Sequence, residues 1–311
     1  MPKEKDVRIV GLSLYYLPIK TRIPLKFGPE TTTHATCARV MVEVEDRRGR
    51  RAQGWGETPL SVAWVWPSEL GYEERLVVLK TFTEGLALSW SSFTEFGHPM
   101  EIGHVFQKQR LEPLHKAFNL RRIAEGARAM PWLAALVCCA SFDLALHDAY
   151  GNLHGLSSFD AMGPEFMNRD LSWYFGPEKG AAFKDLYPED FLISPPALRL
   201  PVWHLVGGKD LLAEEELQGD EPQDGYPVLL GDWIKRDGLY CLKVKLTGTD
   251  MAWDFRRIVD VGRIGIAKGV LWLSADFNCT VHDPAYVIQV LDRLLVEEPR
   301  IFSMILYIEQ P

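Results

Sequence analysis

The N-terminal part of the chain alternates apolar and polar positions with a period of two. VRIVGLSLYYL, from Val7, alternates, and ARVMVEVED, from Ala38, does so more clearly before turning at RRGR. From Val7 to about Glu57 the pattern is strand-like and predicts an antiparallel pair. A long Thr-, Pro- and Gly-rich loop, Pro18–Thr33, is expected between the two strands. The period then changes. GYEERLVVLKTFTEGL places Leu76, Val77, Leu79 and Phe82 around one helical stripe. MPWLAALVCCASFDLALHDAYGNLHG is the strongest helical pattern, with Pro131 near its start and Gly151 at its expected stop. Strands followed by helices predict an α+β domain over residues 1–130.

From about Leu200 short apolar runs alternate with amphipathic helices. PVWHLV (201–206), LYCLKVKL (239–246), VLWLSADFN (270–278) and MILYIE (304–309) read as strands. MAWDFRRIVDVGRIGIAKG reads as a helix ending at Gly269. DPAYVIQVLDRLLVEE reads as a helix with Asp283 as N-cap and Pro284 at its first position. The acidic segment Gly207–Gly238 is expected to be an enlarged first βα connection. This order predicts parallel strands, and residues 131–311 form a second domain of α/β type.

Polar residues interrupt the buried strands at particular places. Lys243 and Lys245 share one face of their strand, about 6.6 Å apart. Ser274, Asp276 and Asn278 share a face of the next strand, and Ile305, Tyr307 and Glu309 share one of the last. Lys245 and Asp276 are 31 residues apart, and Asp276 and Glu309 are 33 apart. One βα unit of a barrel has about that length, so successive strands deliver Lys-Lys, Asp-Asn and Glu to one C-terminal rim, where barrel active sites are built. A KxK pair inside an apolar strand is costly, because buried ammonium groups repel and lose hydration. Neighbouring carboxylates holding a hard divalent cation would organise such a face.

KVK, SADFN and YIEQP, in this order and spacing, resemble the enolase superfamily, in its mandelate racemase/muconate lactonizing enzyme branch. The KxK signature is most similar to the muconate lactonizing enzyme and dipeptide epimerase group. GWGETPL (54–60) resembles the capping-domain turn of that family, and SFDLALHDAYG (141–151) the helix leading into its barrel. The resemblance implies an α+β capping domain on a (β/α)7β TIM-like barrel. It also implies Mg2+-assisted removal of a proton alpha to a carboxylate, giving an enediolate. Carried over by motif, Lys245 is the catalytic base and Lys243 its supporting lysine. Asp276 and Glu309 are two of three metal carboxylates, and Asn278 is a neighbouring hydrogen-bonding group. The chemistry is coherent. A lysine at its ordinary pKa of about 10.4 is protonated, whereas a second cation nearby favours the neutral amine that a base requires.

The resemblance implies a racemase or epimerase of amino-acid or dipeptide-like carboxylates. A dehydratase or cycloisomerase sharing the first step is the alternative, and a non-catalytic binding relative is the second. Only four barrel strands are present where the family has eight. The expectation is therefore a chain truncated after the fourth strand, lacking the third metal ligand and a second acid/base. Such a chain binds Mg2+ weakly and turns over poorly, whereas the full-length enzyme is a homo-oligomer.

Other chemistry is less well supported. Asp143 and His147 have i,i+4 spacing, but the sequence offers no third converging ligand, and Asp148 reads with them as structural. His98, His104 and His115 form no HExxH, HLVGGKD lacks the P-loop spacing, and no GxSxG occurs. His204, ending the first barrel strand, is a candidate pocket residue; Trp64 and Trp66 are either lid residues or ordinary packing. A net charge of −8, with short basic clusters at Arg47–Arg51 and Arg121–Arg122, argues against a nucleic-acid partner. Five scattered cysteines without CxxC fit a reduced, cytoplasmic setting. The N-terminal MPKEKDVRIVG has no apolar signal core. The apolar stretch Pro131–Phe142 falls short of the ~20 residues that span a bilayer, so no membrane partner is expected.

Overall fold

The computed structural model describes residues 3–27 and 30–311. The chain forms two compact units. Unit 1 comprises Met1–Ile19 and His34–Pro196, and unit 2 comprises Lys20–Thr33 and Ala197–Pro311. The expected boundary at 130/131 thus differs from the packing, in which the C-terminal division falls at 196/197.

Unit 1 is built on a three-stranded sheet ordered β1 (Val7–Phe27), β2 (Glu30–Asp46) and β3 (Arg51–Pro59). The alternation in β2 buries Ala38, Val40, Val42 and Val44 on one face. β2 and β3 pair antiparallel from Cys37↔Pro59 to Glu45↔Arg51. Two expectations are corrected here. GWGETPL is not a turn but lies mostly within β3. The expected loop Pro18–Thr33 is extended strand up to Phe27 and again from Glu30, with 28 and 29 outside the described residues. Pro18 and Pro24 are tolerated because β1 is an edge strand, where a missing N–H breaks no ladder.

After a helical turn α1 (Val62–Val65) come α2 (Tyr72–Ser91), α3 (Pro99–Phe106), a π-helical turn Gln107–Leu111, and α4 (Glu112–Ala124). Trp66 is buried at the end of α1 and Trp64 is half exposed, so packing accounts for the former. α5 (Trp132–His154) lies against β3 at backbone distance. A Cβ on Gly54 would stand 2.0 Å from Ala149 N, and one on Gly56 2.1 Å from Ser141 O. Glycine on the strand facing Ala145 and Ala149 on the helix is what permits this approach. Asp148 and Asn152 tie the same contact, accepting from Trp55 N (2.8 Å) and donating to Gln53 O (2.9 Å) respectively. The helix does not stop at Gly151, which is buried inside it, but at Gly155 with φ 66°. By length and mean hydropathy (1.4) α5 is the one helix among the described residues that could reach across a bilayer, and its apolar positions serve the core. The kinked α6 (Leu171–Lys179) closes this unit's helices.

Unit 2 is a four-stranded parallel sheet in chain order: β4 (Trp203–Val206), β5 (Cys241–Lys245), β6 (Trp272–Asp276) and β7 (Ile305–Glu309). Between strands run α7 (Leu230–Asp237), α8 (Met251–Lys268), α9 (Pro284–Glu297) and the short α10 (Pro299–Phe302). Each starts or stops as its sequence dictates. Gly238 and Gly269 end α7 and α8 in the left-handed region, and Asp283 caps α9 by accepting from Ala285 N at 2.9 Å. The Gly207–Gly238 segment therefore contains a helix and completes the first βα unit. Leu242, Val244, Leu273 and Ala275 face the helices and form this unit's core with Ile258, Val261, Val290 and Leu294. β7 ends the sheet, and its Leu306 and Tyr307 are exposed.

Candidate active site

Burying the even-numbered residues of β5 turns its odd-numbered residues to the opposite face. The parallel register then aligns three strands. Lys243 pairs with Ser274, which pairs with Tyr307; one step on, Lys245 pairs with Asp276, which pairs with Glu309. The C-terminal ends of β5, β6 and β7 thus carry one transverse row of charge.

The side chains close that row into a network. Asp276, fully buried, places Oδ2 2.5 Å from Lys245 Nζ and 3.0 Å from Lys243 Nζ. Lys243 Nζ also lies 2.5 Å from Glu309 Oε2. Asn278 holds the Lys245–Asp276 end of the network at two points. Its Oδ1 accepts from Lys245 Nζ at 2.8 Å, and its backbone N–H donates to Asp276 Oδ1 at 2.8 Å. Asn278 takes the left-handed φ of 56° that this turn requires, a conformation asparagine tolerates better than most residues. All five residues expected at the site meet, and the two lysines are separated by carboxylate rather than packed together.

Burial alone would raise the pKa of Asp276. Hydrogen bonds from Lys245, the Asn278 N–H and Lys243 outweigh it and hold the carboxyl below its ordinary value. Burial works to lower Lys243, but Glu309 and Asp276 outweigh it and hold its ammonium above the usual range. Lys243 is thus held as a cation between the two carboxylates that face it.

Two supporting features were not read from the sequence. Asp254, fully buried in the first turn of α8, accepts from Thr247 N (2.7 Å), Thr247 Oγ1 (3.0 Å), Gly248 N (2.9 Å) and Tyr286 Oη (2.7 Å). It pins the turn directly after Lys245. Its position four residues after the N-cap Asp250 was the available signal. Ser274, beside Lys243 in the sheet, is buried, and its Oγ has no partner among the described residues. His204 belongs to neither group. It pairs in register with the core residue Leu242, and its ring lies 5.7 Å from that of Trp233 on α7, so it faces the helix layer rather than the pocket. Burial pushes its pKa down.

Whether a divalent cation suits this site can be judged from its donors. Asp276 Oδ2 and Glu309 Oε2 converge on one cationic atom, Lys243 Nζ. Among the described residues no three His, Cys, Asp or Glu side chains converge. Two hard carboxylate donors fit Mg2+, which commonly takes one or two protein carboxylates and completes its octahedron with water and substrate. Asp276 and Glu309 are the residues that could hold it.

No family model matches the chain, and no curated protein does. Solved structures do. A dipeptide epimerase from Enterococcus faecalis, complexed with Mg and L-Leu-L-Tyr, superposes with a TM-score of 0.54 at 16% identity, covering 98% of this chain and 61% of that one. The substrate-liganded L-Ala-D/L-Glu epimerase from Bacillus subtilis gives 0.52 at 16% identity, with the same coverage. An N-succinyl Arg/Lys racemase from Bacillus cereus gives 0.53 at 17% identity, covering 98% and 59%. The fold is therefore that of mandelate racemase/muconate lactonizing enzyme structures of the enolase superfamily: a capping sheet with its helices, and a run of parallel β/α units. The chain spans about three fifths of the length of the solved structures it matches.

Proposed function

We propose that Lys245 removes a proton alpha to a substrate carboxylate in a racemase or epimerase of amino-acid or dipeptide-like substrates. The observation that carries this reading is the shared row of Lys245, Asp276 and Glu309, with Lys243 bridging the two carboxylates. The fold held in common with dipeptide epimerases supports it. The C–H bond breaks toward Lys245 Nζ, its electron pair passes into the carboxylate, and an enediolate results. A second acid on the opposite face then donates a proton to the enediolate carbon, and Lys245 gives up the one it took to solvent, so the epimer forms with no net change in composition. Asn278 aims the Lys245 amine through its Oδ1, and Lys243 neutralises charge beside the substrate carboxylate. A bound Mg2+, held by Asp276 and Glu309, would stabilise the second negative charge as it develops.

The test is deuterium wash-in at the α-carbon, with Mg2+ in D2O, by the native protein at its natural length. Dipeptides, N-acyl amino acids and sugar acids form the panel. Exchange with inversion in dipeptides or N-acyl amino acids is expected. Loss of water from a sugar acid, with no exchange in the other two classes, would replace the reading by a dehydratase.

A further inference from the structure

The ammonium of Lys243 stands where the two carboxylate oxygens of the site converge. Its Nζ lies 3.0 Å from Asp276 Oδ2 and 2.5 Å from Glu309 Oε2. These are the oxygens that the proposed function gives to Mg2+, so lysine and metal claim one place. An ammonium and a divalent ion together would set three positive charges against two carboxylates at contact distance. The ion has the stronger claim, since Mg2+ carries twice the charge and draws oxygen to about 2.0–2.1 Å.

The two lysines are not equally held. Lys245 donates to Asp276 Oδ2 at 2.5 Å and, on a second side, to Asn278 Oδ1 at 2.8 Å. Lys243 meets only the two carboxylates among the described residues. Exposure differs in the same direction. The side chains of Lys243 and Glu309 are 21% and 32% exposed, against 13% and 0% for Lys245 and Asp276. Solvent therefore reaches the Lys243–Glu309 end of the row, and Lys243 is the cation that can leave it. Its flexible four-carbon stem lets the ammonium swing aside while β5 keeps its place.

We propose, resting on the reading of Asp276 and Glu309 as metal ligands, that Lys243 is a displaceable stand-in for the metal. It bridges the two carboxylates, gives up both oxygens when a divalent cation enters, and is then free to meet the substrate carboxylate. Metal affinity is set by this competition, and Lys243 has two working positions rather than one.

Mn2+ is the probe, because the free ion gives an EPR signal that binding removes; the protein is used at its natural length and at one fixed pH. Lys243→Met keeps the stem and removes the charge. Lys245→Met removes a charge that touches Asp276 but does not bridge to Glu309. Lys243→Met is expected to lower the Mn2+ dissociation constant at least about ten-fold, and Lys245→Met by no more than about three-fold. Glu309→Gln should weaken binding. Equal affinity in Lys243→Met and the unaltered protein, or equal tightening by both lysine variants, overturns the proposal and leaves the metal reading in place. Mn2+ bound by none of these proteins, or bound by Glu309→Gln as by the unaltered protein, overturns both. Should Lys243→Met fail to fold, water exchange of the Lys243 ammonium protons in the unaltered protein decides. It quickens as Mg2+ is added if the bridge opens, and unchanged exchange overturns the proposal.

Discussion

Two regions of the molecule, one in each unit, handle buried polarity in opposite ways. Among the side chains of α3 and its N-cap and of α5, in unit 1, burial works against charge. The imidazoles of His98, His104, His147 and His154 are all pushed down chiefly by desolvation, and Asp143 is pushed up. In unit 2 the row at the strand ends keeps its charge by pairing, with one buried carboxylate shared between two ammonium groups and Glu309 completing the chain. A site that stays ionised when partly dehydrated suits proton transfer beside a carboxylate, because its field is fixed before the charge develops. The same chain thus carries both solutions, and each can be broken separately.

Breaking the charged row should have the largest effect. Asp276→Ala leaves two ammonium groups without their shared partner, and a cost on the order of 3 kcal/mol to unit 2 is expected. Loss of hydrogen-exchange protection at the β5 and β6 amides, with unit 1 amides unchanged, is the readout; uniform loss in both units would contradict independent handling. Close behind comes Gly54→Val, which drives a side chain into the α5 backbone. It should destabilise unit 1 by about 3 kcal/mol, seen as a lower urea midpoint for its amides.

The neutral side of the comparison can be sharpened by pH. His98 is held down to about 3, first by burial and then by His147. The unfolded chain binds that proton near 6.5, so between these values the unfolded state carries more protons. Stability is then complete above about 6.5 and falls as pH drops toward 3. His98→Asn, which retains an N-cap side chain for α3, should flatten the dependence of the melting temperature over that window. An unchanged slope would move the effect to the other histidines.

The smallest effect belongs to an exposed latch in unit 2. Arg22 meets Asp224 through Nε at 2.7 Å and Nη2 at 2.8 Å, which holds the Asp224 carboxyl down to about 2. Arg22→Ala should return that carboxyl toward 3.8 in an NMR titration while barely shifting the melting temperature.

The charged row was legible in the sequence for a physical reason. A strand has period two, and its buried positions in CLKVK are unmistakable, so both lysines had to share the other face. The βα spacing then aligned Asp276 and Glu309 with them. In HLV, by contrast, three different side chains set no parity, and only the register shows His204 turned to Trp233. The 18–33 segment reads as a loop because its prolines are turn signals, yet for Pro18 and Pro24 edge position in the sheet removes the cost.

The most direct measurement is α-carbon deuterium exchange by Lys245→Ala, compared with the unaltered protein at natural length in Mg2+ and with the same dipeptide. The account predicts loss of exchange by at least about 100-fold, since general-base catalysis contributes on that order, with substrate binding retained. Exchange at the unaltered rate would contradict it and move the base to another side chain.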